Sequence, residues 1–200
     1  MKVGILGGTF DPIHLGHTFI AKKAQETLGL DEIWFVPAGD PWLKCDKERS
    51  LAKHRLEMVC LAVEEDQTFK VLDIEVRRPG PSYTVDTLLE LRGELTEDDR
   101  LFFIVGTDAL ATLGRWHKPE RLFDLCTIIG VSRPQENEIN VEELNEIRTG
   151  ASNQVITIDS VDINISGSQA RARVANGMPL SGWVAAPVEE YILRNNLYKA

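Results

Sequence analysis

The chain has 200 residues, 43% of them hydrophobic, enough to bury a full core as one domain over 1–200, and no composition shift marks a second. Its 31 acidic against 22 basic side chains give a net charge of −9, which excludes a broad nucleic-acid surface, since that needs clustered positive charge. No apolar stretch approaches a membrane span and no charged-then-apolar leader precedes the first strand; the 3 cysteines, Cys45, Cys60 and Cys126, suggest neither a disulfide framework nor a zinc site. A soluble, cytoplasmic protein is expected.

Val3-Gly4-Ile5-Leu6 reads as a buried first strand, and Leu15, Ile20, Ala24 and Leu28 as the spacing of a helix. Between them runs Gly7-Gly8-Thr9-Phe10-Asp11-Pro12-Ile13-His14-Leu15-Gly16-His17. Glycines let the backbone turn sharply and approach a ligand, while a helix start offers N–H groups and the positive end of a dipole to an anion. Neither the dinucleotide pattern of three glycines nor the lysine of a P-loop is present. Alone, either histidine reads as a helix-start or packed residue; together, in a strand–turn–helix, they read as donors to a polyphosphate.

The second strand, Ile33-Trp34-Phe35-Val36, leads into Pro37-Ala38-Gly39-Asp40-Pro41-Trp42-Leu43-Lys44. Lys44, Lys47, Arg49, Lys53 and Arg55 crowd the segment that follows and supply positive charge locally. Leu56, Val59, Cys60 and Val63 predict one buried face of a helix capped by Ser50, with Cys60 and Cys126 as small core residues and Cys45 in a polar loop. A further apolar run covers 71–76. Arg78-Pro79-Gly80-Pro81-Ser82-Tyr83-Thr84 then forms a loop before a helix with Val85, Leu88 and Leu89 inward, begun by Ser82 or Thr84. Leu101-Phe102-Phe103-Ile104-Val105 is the next strand, followed by Gly106-Thr107-Asp108, in which Asp108 suits a helix cap. Trp116, in Gly114-Arg115-Trp116-His117-Lys118, places an indole on a polar loop, where it suits a lid.

Strands Thr127-Ile128-Ile129-Gly130-Val131 and Val155-Ile156-Thr157-Ile158 follow, with polar, turn-rich connections over 133–140 and 149–153. Ile165-Ser166-Gly167-Ser168-Gln169-Ala170-Arg171 opens a helix ending near Gly177; its hydroxyls cap the helix or hold phosphate oxygens, and Arg171 adds a charged fork. A last helix starts near Pro187 with Val188, Tyr191 and Ile192 on one face. Near-continuous apolar strands alternating with amphipathic helices imply a doubly wound, Rossmann-like α/β domain, a parallel sheet with helices on both faces. Ligands of such folds sit at the carboxyl ends of the strands, where 7–17, 37–44, 106–108 and 132–133 all lie.

The run 7–17 closely resembles the nucleotidyltransferase signature of the nicotinate-nucleotide adenylyltransferases. The resemblance extends from Lys2 to Tyr198, including Gly80-Pro81-Ser82-Tyr83-Thr84 and the closing Val188-Glu189-Glu190-Tyr191-Ile192 with Asn195-x-Leu197-Tyr198, and fades over 135–154. It implies transfer of the adenylyl group of ATP to nicotinate mononucleotide, releasing pyrophosphate. It further implies an ATP site built from Gly7, Gly8, Thr9, Phe10, His14 and His17, with Gly106 and Asp108 at the ribose and Ser166, Ser168 and Arg171 at the β and γ phosphates. Lys44, Ser82, Tyr83, Thr84, Trp116 and His117 would receive the mononucleotide: Trp116 by stacking, His117 by its backbone N–H, Lys44 at the reacting phosphates. His17, His14, Lys44 and Arg171 carry the reaction, and Mg²⁺ comes with ATP, held mostly by phosphate oxygens and water.

The chain departs from that pattern at Gly167, where relatives carry a hydroxyl, at Ala170, where they carry a larger aliphatic residue, and at Trp42-Leu43, where they read Pro-His before the lysine. Two alternatives stay open: a phosphopantetheine adenylyltransferase-like enzyme, usually shorter and lacking the segments around Ser82 and Trp116, and a non-catalytic nucleotide-binding protein of the same fold. A homo-oligomer is compatible with the sequence.

Overall fold

The computed structural model describes residues 1–42, 49–132, 141–159 and 165–199. In chain order its elements are β1 (Lys2–Gly8), α1 (Leu15–Leu28), β2 (Glu32–Pro37), α2 (Ala52–Val63), β3 (Phe69–Val71), α3 (Ile74–Arg77), α4 (Thr84–Glu94), β4 (Arg100–Gly106), α5 (Thr107–Leu110), α6 (Leu122–Leu125), β5 (Thr127–Ser132), α7 (Val141–Ile147), β6 (Val155–Asp159), α8 (Gly167–Ala175) and α9 (Ala186–Arg194). The strands form a parallel sheet in the order β3-β2-β1-β4-β5-β6.

Alternation along each strand feeds two cores, as expected for a sheet covered on both faces. Ile33 and Phe35 of β2, Phe102 and Ile104 of β4 and Ile129 of β5 pack with Ala21 and Ala24 of α1, Val59 of α2, Val174 of α8 and Val188 of α9. Their neighbours Trp34, Val36, Leu101, Phe103 and Ile128 face the other way, against Leu88 and Leu91 of α4 and Leu122 of α6. β1 pairs with β2 on one side and β4 on the other, so the chain leaves β1 toward one core, through α1, and leaves β4 toward the other, through α5. That divergence opens a crevice at the carboxyl ends of β1 and β4.

Four local expectations are corrected. The run 71–76 is not one strand: β3 ends at Val71, and the chain turns into α3 at Ile74. The buried face of α2 runs through Arg55, Met58, Val59 and Val63, one position from the face expected, so Cys60 points to solvent while Cys126 is buried. Ser50 does not cap α2; the cap position is Leu51, without a side-chain bond. In α4 the inward residues are Val85, Leu88 and Leu91, and Leu89 is exposed. The last helix is as read: proline lies in its first turn and Val188 and Ile192 are fully buried.

Candidate active site

The turn after β1 is built around two buried side chains. Phe10 has positive φ (50°) and puts its ring into the core, 2% exposed. Its side chain therefore supports the turn from below, and only its backbone is left to face a ligand. Asp11, 6% exposed, takes hydrogen bonds from the Tyr198 hydroxyl (2.6 Å) and the Ser50 N–H (3.3 Å). His14 occupies the cap position of α1 and is buried; His17, one turn on, stacks against it at 3.7 Å and meets the Phe10 edge at 5.0 Å. The His14 N–H donates to His17 Nδ1 at 3.2 Å. With Nδ1 accepting, Nε2 is the ring position that donates, and the backbone aims it. The first helical N–H, that of Leu15, is taken by the Trp183 carbonyl (2.8 Å), so the start of α1 offers fewer free amides than the sequence implied.

α8 begins beside this turn. Ser166 is a capping box partner of Gln169, and its hydroxyl also lies 3.1 Å from that of Ser168, which is exposed. Arg171 donates through one nitrogen to the Asp11 carbonyl at 2.6 Å. A Cβ on Gly167 would stand 3.1 Å from that same carbonyl oxygen, so the glycine seats α8 tightly against the turn, and Ala170, fully buried, fits for the same reason. The departures at Gly167 and Ala170 thus sit at closely packed positions of α8. At the end of β4, Asp108 lies in the first turn of α5, exposed and making no capping bond, which leaves its carboxylate for a ligand.

Across β1 from the histidines lies a cleft lined by Gly7, Gly8 and Thr9 on one side and Ser82, Thr84, Trp116 and His117 on others. Trp116 meets Phe103 edge-on (6.0 Å), and its indole N–H is buried with no hydrogen-bond partner among the described residues. Tyr83 stacks on His117 at 4.2 Å and meets Trp42 edge-on, so it stiffens the rim while its neighbours line the cleft. The Ser82 hydroxyl accepts from the N–H groups of Gly39 (2.9 Å) and Asp40 (3.2 Å) and so fastens the loop after β2 to the start of α4. Lys44 and Leu43, as well as Cys45 and the connection over 133–140, lie outside the described residues.

Two buried side chains shape the site in ways the sequence does not mark: Arg55, expected to supply positive charge to an anionic ligand, instead bonds backbone carbonyls, and Glu75 carries no motif. Arg55, 2% exposed, donates to the carbonyls of Thr9 (2.7 Å), Gly39 (2.9 Å) and Ser50 (3.1 Å), joining three loops that shape the site. Burial draws its pKa down, opposed chiefly by the Asp11 carboxylate. Glu75, 8% exposed, lines the cleft and accepts from the Thr87 hydroxyl at 2.6 Å, which in turn accepts from Arg78 at 3.1 Å. Burial pushes the Glu75 carboxyl above its ordinary range, against the hydrogen bonds from Thr87 and Ser82 and the charges of Arg78 and Arg55. The signal in the sequence is an acid flanked by apolar residues, Ile74-Glu75-Val76, and an arginine on the apolar side of α2.

Strand order and a His-x-Gly-His turn at the crevice define a nucleotidyltransferase-type α/β domain, and the cytidylyltransferase-like family model matches residues 5–173. A relative from Dehalococcoides mccartyi, named "Probable nicotinate-nucleotide adenylyltransferase", is 43% identical over 198 residues, 99% of this chain and 97% of its own. One of the same name from Thermus thermophilus is 42% identical over the full length of both. The chain belongs to the nicotinate-nucleotide adenylyltransferase family. A solved structure of Plasmodium falciparum nicotinic acid mononucleotide adenylyltransferase complexed with NaAD shares the fold, with a TM-score of 0.78 over 98% of this chain and 97% of that one at 22% identity. No helix among the described residues is long and apolar enough to cross a membrane.

Proposed function

We propose that this crevice joins ATP to nicotinate mononucleotide: an oxygen of the mononucleotide phosphate attacks the α-phosphorus of ATP in line, and pyrophosphate leaves with the bonding electron pair. A phosphate monoester is already a nucleophile, so the protein positions two anions and stabilises the charge that grows on the transferred and leaving groups. His17 Nε2–H serves the α-phosphate, with His14 and Thr9 beside it. Ser168, the start of α8 and the remaining donors of Arg171 take the leaving end, while Asp108 takes ribose hydroxyls. The mononucleotide lies in the cleft beside Ser82, Thr84, Trp116 and His117, with Gly7 to Thr9 as the wall shared by both substrates. Among the described residues no group of three or more His, Cys, Asp or Glu side chains converges, so Mg²⁺ would ride on the oxygens of ATP and on water.

The observation that carries this reading is the aimed His17 donor beside the strand end that walls the cleft. The test is pyrophosphate release from Mg-ATP with nicotinate mononucleotide, nicotinamide mononucleotide and phosphopantetheine in parallel. Release with phosphopantetheine alone would assign the rival adenylyltransferase. Release with none would assign a nucleotide-binding protein without turnover.

A further inference from the structure

The residues that close the chain reach back to the phosphate-binding turn, and adenylyl transfer as described gives them no task. Asp11 is where they arrive. Tyr198, 187 positions on, donates its hydroxyl to Asp11 Oδ1 at 2.6 Å; the Ser50 N–H reaches Oδ2, and Arg171 reaches the Asp11 carbonyl at 2.6 Å. Asn196 and Tyr198 both have positive φ (52° and 61°), a backbone region that side chains other than glycine rarely adopt unless their surroundings impose it. Leu197 and Tyr198 pack on the core beneath the turn, which imposes it here.

A buried carboxylate needs donors, and removing one leaves an oxygen that neither water nor protein satisfies. The turn would relieve this by shifting toward solvent. Asp11 lies three residues before His14, and its carbonyl holds Arg171, so the shift would misplace the groups that meet the phosphates while leaving the cleft across β1 untouched. We infer that Tyr198 is a positioning residue: its bond to Asp11 holds the turn from Phe10 to His14, and through it the Arg171 guanidinium, in the geometry that receives the phosphates of ATP. This rests on the adenylyl-transfer reading for the identity of the anion.

The experiment compares Tyr198→Phe with Tyr191→Phe. Tyr191, on α9, has its own hydroxyl bond, to His54 at 2.8 Å, away from the turn, so it reports what losing a tyrosine hydrogen bond from the C-terminal region does to stability alone. Thermal denaturation, calorimetric Kd for Mg-ATP and for nicotinate mononucleotide, and steady-state KM are measured on the full chain. Both variants are expected to melt a few degrees lower. Only Tyr198→Phe should bind Mg-ATP about tenfold more weakly, the effect of one lost bond to a charged group, with nicotinate mononucleotide binding unchanged. Unchanged Mg-ATP affinity in Tyr198→Phe, or the same loss in Tyr191→Phe, overturns the inference. Where Tyr198→Phe folds poorly, Asp11→Asn weakens the same bond from its other end, and unaltered Mg-ATP affinity there overturns it equally. A wild type that binds Mg-ATP without transferring to nicotinate mononucleotide refutes the substrate reading alone, because the affinity comparison still decides the role of Tyr198.

Discussion

At the scale of single residues, His17 and Trp116 make opposite kinds of contact and should fail in opposite ways. His17 is aimed by a backbone donor and steadied by the rings of His14 and Phe10. Its Nε2–H bond to phosphate strengthens as charge develops, so His17→Ala is expected to lower turnover by roughly 10²–10³ while changing the KM for ATP little. Steady-state pyrophosphate release decides this; near-normal turnover with only a raised KM would make His17 a binding residue. If Trp116 receives the pyridine ring as proposed, stacking on its flat face meets acid and amide alike. Selectivity then comes from N–H donors; at the start of α4 the N–H groups of Asp86 and Thr87 bond the Tyr83 carbonyl, whereas those of the cleft-lining Thr84 and of Val85 precede the first helical bond. A carboxylate accepts on both oxygens, whereas a carboxamide turns an NH₂ toward a donor and leaves it unmet. Wild type should prefer the acid mononucleotide by about a hundredfold or more in kcat/KM. In Trp116→Ala both substrates should weaken and the ratio should persist; a collapsed ratio would place the discrimination in the indole.

At the scale of elements, the strands and most helices were legible because alternation between two buried faces leaves a plain apolar pattern. Two of the misreadings share one cause, a polar side chain turned inward. Arg55 occupies the buried face of α2, so counting only apolar residues rotated that helix by one position and put Cys60 inside. Glu75 sits in what looked like a strand, because the close approach of Gly39, whose Cβ would stand 2.1 Å from the Glu75 carbonyl oxygen, needs a turn there. The candidate site was legible where a motif marks a strand or helix end, as at His14, His17 and Thr84. It was illegible wherever distant loops are tied, as at Arg55, Glu75 and Asp11. The tie at Glu75 has a pH signature. Its native pKa is raised above the ordinary 4.5, so the folded state holds that proton more tightly than the unfolded state and loses stability as pH climbs from about 4.5 through the native value. Glu75→Gln removes the titration. Its melting temperature relative to wild type is therefore expected to increase across that window and level off above it, and a pH-independent difference would show the ionised carboxylate to be fully compensated.

At the scale of the whole molecule, position in the sheet grades stability. β1 and β4 are paired on both edges and lie between the two cores, whereas β3 and β6 are edge strands, β3 only three residues long. Amides of β1 and β4 should be the last to exchange with deuterium, opening only with global unfolding, and those of β3 and β6 should exchange sooner. Equal protection across the sheet would contradict this grading. β1 also has a place in time. It meets β2 through pairs such as Val3 with Glu32, but β4 only through pairs such as Lys2 with Arg100. Contacts so far apart in sequence form late, and a chain emerging from the ribosome makes its early, local pairings first. The histidine motif is therefore synthesised before Asp108, Arg171 and Tyr198, which surround it in the folded chain. A nascent or truncated chain that ends before β4 carries the signature motif without the residues proposed to complete the site, so it is expected neither to sequester nor to consume ATP.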